Sequence, residues 1–203
     1  MIGIINYGLG NLGSLLNMCN KIGCKASIID SPASILSASH LILPGVGSFD
    51  TGMKNLHSKG LIPMLNAAVY ESKIPILGIC LGAQLMLESS EEGDISGLGW
   101  IRGRSVKFEA SDNIKIPHMG WNSLINTERS FLFRNMPQKT PRFYFVHSYY
   151  FQLANKEEIS SESHYGIPFC ASFQRGKVMG VQFHPEKSHL FGMTLLQNFL
   201  TTK

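Results

Sequence analysis

The chain has little charge and few of the residues that staple a small secreted protein or anchor a membrane protein. Asp, Glu, Lys and Arg make up 16% of its 203 residues, and no block of like charges occurs. Lys and Arg total 18 against 14 Asp and Glu, a formal +4. That basic bias is too weak to indicate nucleic-acid or membrane binding by electrostatics. No apolar run approaches the ~20 residues that a bilayer-spanning helix needs. The opening Met1-Ile2-Gly3-Ile4-Ile5-Asn6 has no basic stretch leading into an apolar signal core, so export is not expected. The four cysteines, Cys19, Cys24, Cys80 and Cys170, form no Cys-x-x-Cys pair and are too sparse for a disulfide scaffold. Reduced thiols in a cytoplasmic protein are the expectation, with no metal or cofactor.

Internal repeats, low-complexity tracts and Pro- or Ser-rich linkers are also missing. With 44% hydrophobic residues, the chain can bury one full-sized core, and residues 1–203 are read as a single domain. Its first ~90 residues alternate short apolar runs with 3.6-periodic segments. Strands are expected at Ile2–Ile5, Ala26–Ile29, Leu41–Leu43 and Ile74–Ile79, and helices at Leu12–Ile22, Thr51–His57, Leu61–Glu71 and Leu81–Leu87. After Gly93 short β-type runs follow: Ser105–Phe108, Arg142–Tyr150, Phe169–Phe173 and Val178–Phe183. A closing helix at Leu190–Leu200 places Leu190, Met193, Leu196, Gln197 and Leu200 at helical spacing. The fold class implied is α/β, a mixed, mostly parallel central sheet flanked by helices, with a smaller antiparallel β portion.

Gly78-Ile79-Cys80-Leu81-Gly82 lies between the apolar strand and a helix. This is the setting of a nucleophile elbow, a sharp turn that lifts one side chain above the sheet. Side chains at 78 and 82 would crowd the adjoining elements, and the following helix start favours a thiolate at Cys80. An isolated cysteine on an apolar strand is more often a small buried hydrophobe, so the reading needs a companion base. Among seven histidines, His184 has the best context, in Val181-Gln182-Phe183-His184-Pro185-Glu186. Residues i and i+2 of a strand share a side, so Glu186 is placed to orient the His184 ring toward the thiol. Cys80, His184 and Glu186 would then be nucleophile, acid/base and orienter. Leu81 and the Pro44-Gly45-Val46-Gly47-Ser48 loop would supply oxyanion donors, from the amides of Leu81 and of Val46 or Gly47.

Together these pieces resemble the class I glutamine amidotransferases, whose glutaminase domains carry a Gly-x-Cys-x-Gly elbow, a Pro-Gly-rich loop and a terminal His-Pro-Glu. The resemblance runs nearly end to end. It is strongest toward glutaminase subunits that feed a cyclase forming imidazole glycerol phosphate, through Asn6–Asn11, Pro117–Asn122, Tyr144–Tyr149 and His184–Ser188. It implies hydrolysis of glutamine to glutamate and ammonia through a Cys80 thioester, and a heterodimer with the synthase subunit that accepts the ammonia. By the same resemblance Gly47, Gln84, Glu92 and the Ser148-Tyr149 backbone would hold the glutamine. Asn11, Trp121, Tyr144 and Lys187 would face the partner. Ala83 stands where a Met is frequent in the family, which bears on pocket shape. Two alternatives share the cysteine chemistry: supply of ammonia to another acceptor, such as an enzyme modifying surface sugars, and a free-standing cysteine amidohydrolase.

Overall fold

The structure, a computed structural model, describes residues 1–110 and 114–202. Four short strands, β1 (Ile2–Ile5), β2 (Ala26–Ile29), β3 (His40–Leu43) and β4 (Ile76–Ile79), run parallel in the order β2-β1-β3-β4. They are joined through the helices α1 (Leu12–Lys21), α2 (Phe49–Ser58) and α3 (Ile62–Tyr70). β1 and β4 are buried at every position, which is why they read as continuous apolar runs, not alternating ones. After β4 come the short α4 (Leu81–Gln84), the two-residue β5 (Ser89–Ser90), β6 (Gly103–Lys107) and β7 (His118–Ser123). Then follow β8 (Arg142–His147), β9 (Tyr149–Leu153), β10 (Ile159–Tyr165), β11 (Ile167–Arg175), β12 (Val178–Val181) and α5 (His189–Phe199). β12 joins β4 in parallel, and β11, β9 and β6 extend the sheet antiparallel. β7 and β8 form a separate antiparallel pair. Large buried side chains pack on both faces: Phe49, Leu65 and Trp100 on one, Phe143, Phe183 and Phe199 on the other.

The mixed sheet expected from the patterning is present, with three local differences. The helix expected at Leu81–Leu87 stops after one turn. The carbonyls of Leu85, Met86 and Leu87 accept from Leu98, Ile101 and Gly99 instead of from a continuing helix. The run Arg142–Tyr150 is two strands that part at Ser148, because β8 pairs with β7 while β9 pairs with β6 and β11. In α5 the buried face is Gly192, Leu195, Leu196 and Phe199, and Leu190 is 54% exposed. The helix is rolled by close packing at Gly192, where a Cβ would lie 1.8 Å from the Pro185 carbonyl oxygen.

β3, β4 and β12 are parallel neighbours in register, Leu43 beside Gly78 and Ile79 beside Val181. Their carboxyl ends therefore open onto one edge of the sheet, the usual place for a site in such folds. Two loops meet there backbone to backbone. A Cβ on Gly82 would sit 1.9 Å from the Leu43 carbonyl oxygen, and one on Gly45 would sit 2.6 Å from the Gly82 nitrogen. Gly82→Ala should lower the unfolding free energy by about 3 kcal/mol through overpacking. A urea midpoint equal to that of the unsubstituted chain would show that β3 yields freely.

Candidate active site

Cys80 is the first residue beyond β4 and adopts φ 52°, ψ −112°. This is a conformation that non-glycine residues rarely take and that marks a locally strained turn. Its neighbours hold it there: Cys80 N donates to Val181 O at 2.8 Å, and its carbonyl accepts from Ala83 N and Gln84 N, each at 3.1 Å. Gly78 and Gly82 are required as the spacing suggests, since a Cβ at Gly78 would fall 2.6 Å from Ala83 Cα. The thiol is 7% exposed and faces a cleft of about 410 Å³ whose lining includes Val46, Gly47, Leu81, Gln84, Glu92 and Tyr149.

His184 and Glu186 do meet, but not as alternate residues of a strand. β12 ends at Val181, and Pro185–Lys187 form a single 3-10 turn. Pro185 has no N–H to continue a ladder, so the chain folds back and brings Glu186 Oε1 to 2.7 Å from His184 Nδ1. Ser188 fixes the turn: its hydroxyl donates to His184 O at 2.6 Å and accepts from Tyr144 N at 3.0 Å. His184 N also donates to Tyr144 O at 2.9 Å. The two side chains are 1% and 3% exposed. Among the described residues, buried His184 Nε2 has no hydrogen-bond partner. Burial alone would lower the imidazole; Cys80 first, and then Glu186, more than offset it and raise the group well above its ordinary value. The ring is therefore held toward its protonated form, with one nitrogen bonded to a carboxylate and the other free.

The glycine-rich loop lies across the cleft from the elbow. The Tyr7 hydroxyl, fully buried, donates to Pro44 O at 2.6 Å and anchors the loop where it leaves β3. Gly47 has φ 124°, a region open to glycine, and Val46 and Gly47 both line the cleft. Leu81 heads α4, where the first N–H groups have no helical acceptor. Gln84 is turned inward: its Nε2 donates to Tyr149 O at 3.3 Å and to Gln182 Oε1 at 3.2 Å. Glu92 Oε2 accepts from Phe49 N at the start of α2, at 2.8 Å. Burial raises its carboxyl, against that bond. The carbonyls of Ser148 and Tyr149 are already engaged, the first by Phe108 N at 3.0 Å and the second by His147 Nδ1 at 2.7 Å.

The four rim residues are less tightly grouped. Trp121, 39% exposed, stacks on His189 with centroids 5.7 Å apart and meets the Tyr144 ring edge-on at 6.4 Å. Lys187 Nζ lies 5.7 Å from the centroid of the Tyr144 ring and also lines the cleft. Asn11 caps α1 by accepting from Ser14 N at 3.3 Å. It lines no part of this cleft, although Ser14 and Asn17 of its helix share a neighbouring hollow with Lys187.

Reasoning from sequence missed Gln182 and His147. Gln182 is fully buried and its Nε2 donates to Cys80 Sγ at 3.7 Å. A polar residue inside the apolar run Val178–Phe183 was the available signal. His147 lines the cleft at the end of β8 and had no local pattern to mark it.

The mostly parallel sheet carries an elbow thiol on a cleft and, just beyond β12, a buried imidazole bound to a carboxylate. The family model described as glutamine amidotransferase class-I matches residues 3–203, and the chain belongs to that family. Within it, the chain is similar to the protein named imidazole glycerol phosphate synthase subunit HisH 2 of Methanococcus maripaludis, 50% identical over 200 residues that cover 98% of each. It is 46% identical over 200 residues to the protein of the same name from Pseudomonas aeruginosa, again covering 98% of each. A solved glutamine amidotransferase shares the fold with a TM-score of 0.74 at 18% identity, over 98% of this chain and 96% of that one.

The raised imidazole makes a direct test. Glu186→Gln removes the carboxylate charge, so the His184 titration followed by NMR should move to lower pH. An unmoved midpoint would assign the upward pull to Cys80 alone.

Proposed function

We propose that this chain hydrolyses L-glutamine to glutamate and ammonia and hands the ammonia to a cyclase subunit, as the glutaminase subunit of an imidazole glycerol phosphate synthase. The observation that carries this reading is the placement of Cys80 at the mouth of the cleft, with a buried, unpartnered His184 Nε2 whose protonation Cys80 itself favours. The strong likeness to the two named synthase subunits supports the acceptor.

In this reading the Cys80 thiolate attacks the side-chain carboxamide carbon of glutamine. The tetrahedral oxyanion is met by the Leu81 amide and by an amide of the Val46-Gly47 pair. His184 gives its proton to the departing nitrogen, which leaves as ammonia, and the glutamyl thioester remains on Cys80. Water then attacks the thioester while His184 takes a proton from it, and glutamate leaves as the thiolate is regenerated. Glu186 keeps the imidazole oriented through both steps. Gly47, Gln84, Glu92 and the Ser148-Tyr149 backbone hold the substrate. With Nε2 of Gln84 and Oε2 of Glu92 already bonded within the protein, it is Oε1 of each that is offered. The carbonyls of Ser148 and Tyr149 are taken in the same way, so that segment contributes its shape and its remaining backbone.

The rim of Trp121, Tyr144 and Lys187, with Asn11 at its margin, is the surface we assign to the cyclase. An exposed Trp beside a cation over an aromatic ring suits the centre of a protein interface better than a solvated face. The positive φ of Gly47 leaves the adjoining peptide groups free to reorient at low cost. Docking at the rim would complete the oxyanion donors and so limit hydrolysis of glutamine when no acceptor is ready.

Glutamate release should be slow for the purified chain alone and strongly stimulated by the cyclase subunit with its phosphoribosyl ligand. Activity indifferent to the cyclase would overturn the acceptor and leave the cysteine chemistry. Cys80→Ala should reduce glutamine turnover by about 10³-fold or more while the complex still uses free ammonia. Retained turnover would overturn the nucleophile.

A further inference from the structure

Two buried imidazoles touch outside the elements that carry Cys80 and His184, one of them, His147, lining the cleft and the other, His118, behind it. His118 of β7 and His147 at the end of β8 are 3% and 6% exposed, with His118 Nδ1 2.9 Å from His147 Nε2. Their tautomers follow from the groups at either end. Tyr149 O can only accept, and it lies 2.7 Å from His147 Nδ1. That nitrogen therefore carries the proton and His147 Nε2 is a bare acceptor. His118 Nδ1 must then donate to it, which leaves His118 Nε2 to accept from Asn122 Nδ2 at 3.2 Å. Asn122 is oriented independently: its Oδ1 accepts from Ser123 N at 2.8 Å, and Nδ2 also donates to His164 O at 2.9 Å.

All three donors thus point one way, from β7 toward Tyr149. Tyr149 O in turn accepts from Gln84 Nε2, which reaches Gln182 Oε1, and Gln182 Nε2 reaches Cys80 Sγ. One connected set of hydrogen bonds links the small sheet to the thiol. Burial lowers His118 to about 4 and His147 to about 3, so both rings are neutral at physiological pH. Neutrality is what the chain requires, because a second proton on either ring would place two donors face to face.

We propose that His118 and His147 are positioning residues: a one-way pair of N–H donors that fixes the Tyr149 carbonyl and, through Gln84 and Gln182, sets the glutamine head group beside Cys80. The proposal rests on the reading of the cleft as a glutamine site. Its geometric reason is the split at Ser148, where the chain passes from the small sheet into the main one. The Tyr149 carbonyl lies one residue past that crossing and accepts from the side chains of Gln84 and His147, so the pair supplies one of its two donors.

The aromatic setting allows structure and positioning to be separated. His118 stacks between Phe145 and Tyr165, with centroids 4.8 and 4.1 Å away. His118→Phe keeps a ring in that stack and deletes the donor, whereas His118→Asn gives up the stack and retains an N–H near the Nδ1 position. We expect His118→Phe to raise KM for glutamine about tenfold, the usual effect of one lost buried hydrogen bond, with a smaller change in kcat. His118→Asn should recover most of that loss despite its lower thermal midpoint. An unchanged KM in His118→Phe, or an equal loss in both variants, would overturn the proposal. Nitrogen-15 NMR of the unsubstituted chain tests it without any variant: both rings must be the Nδ1–H tautomer at pH 7, and an Nε2–H ring at either position would overturn it. The tautomer measurement needs no turnover. A chain inactive on glutamine even with the cyclase subunit and its ligand would therefore overturn the glutaminase reading, while the ring nitrogens still report whether the line of donors runs from His118 to Tyr149.

Discussion

The approach of two backbones at Gly45 and Gly82 is the constraint on which the site depends. β3 and β4 are adjacent and parallel, so the loops that leave them must share one edge of the sheet. Side chains at either glycine would drive the loops apart, since the nearest backbone atoms lie within 2.6 Å of where a Cβ would be. With hydrogen there instead, the Gly-rich loop and the start of α4 sit close enough to present amides to one small volume. The strained turn at Cys80 persists because it is tied on both sides, to β12 through its amide and to α4 through its carbonyl. The Tyr7 hydroxyl then pins the loop from below.

Around that frame, three buried imidazoles behave differently because of what stands behind each. His184 has a carboxylate on Nδ1 and the thiol in its field, and it is driven up. His118 and His147 have only an amide, a carbonyl and each other, so burial acts almost unopposed and drives them down. One buried imidazole is thus held toward its protonated form beside two that are held neutral. The division follows from Cys80 and then from Glu186, the latter set within a turn that Pro185 and Ser188 enforce.

Much of this was legible in the chain itself, and the failures are instructive. The strands β1 to β4 were readable because each is a short, mainly apolar run between turns. The elbow was readable because two glycines flank a residue at a strand-to-helix junction. The length of α4 was not, since the carbonyls just after it, of Leu85, Met86 and Leu87, are claimed by Leu98, Ile101 and Gly99, which lie beyond the reach of local periodicity. The rolled face of α5 was hidden for a similar reason, because Gly192 turns inward only against the carbonyl of Pro185. β7 and β10 carry mostly polar and small residues, so neither showed an alternation of apolar positions to read.

By itself, the sequence determined the first four strands and the helices between them, the thiol at the elbow, the loop rich in glycine and the His-Pro-Glu segment, because each is encoded within a few consecutive residues. The tertiary structure alone decided that Gln182 and His147 join them. It also decided that Gln84 faces inward, that the carbonyls of Ser148 and Tyr149 are occupied, and that His118 completes a chain of donors reaching from the small sheet. Apart from the bonds of His147 to Tyr149 and of Asn122 to His118, these are pairings between residues separated by tens of positions, and no local pattern records which buried donor will find which acceptor.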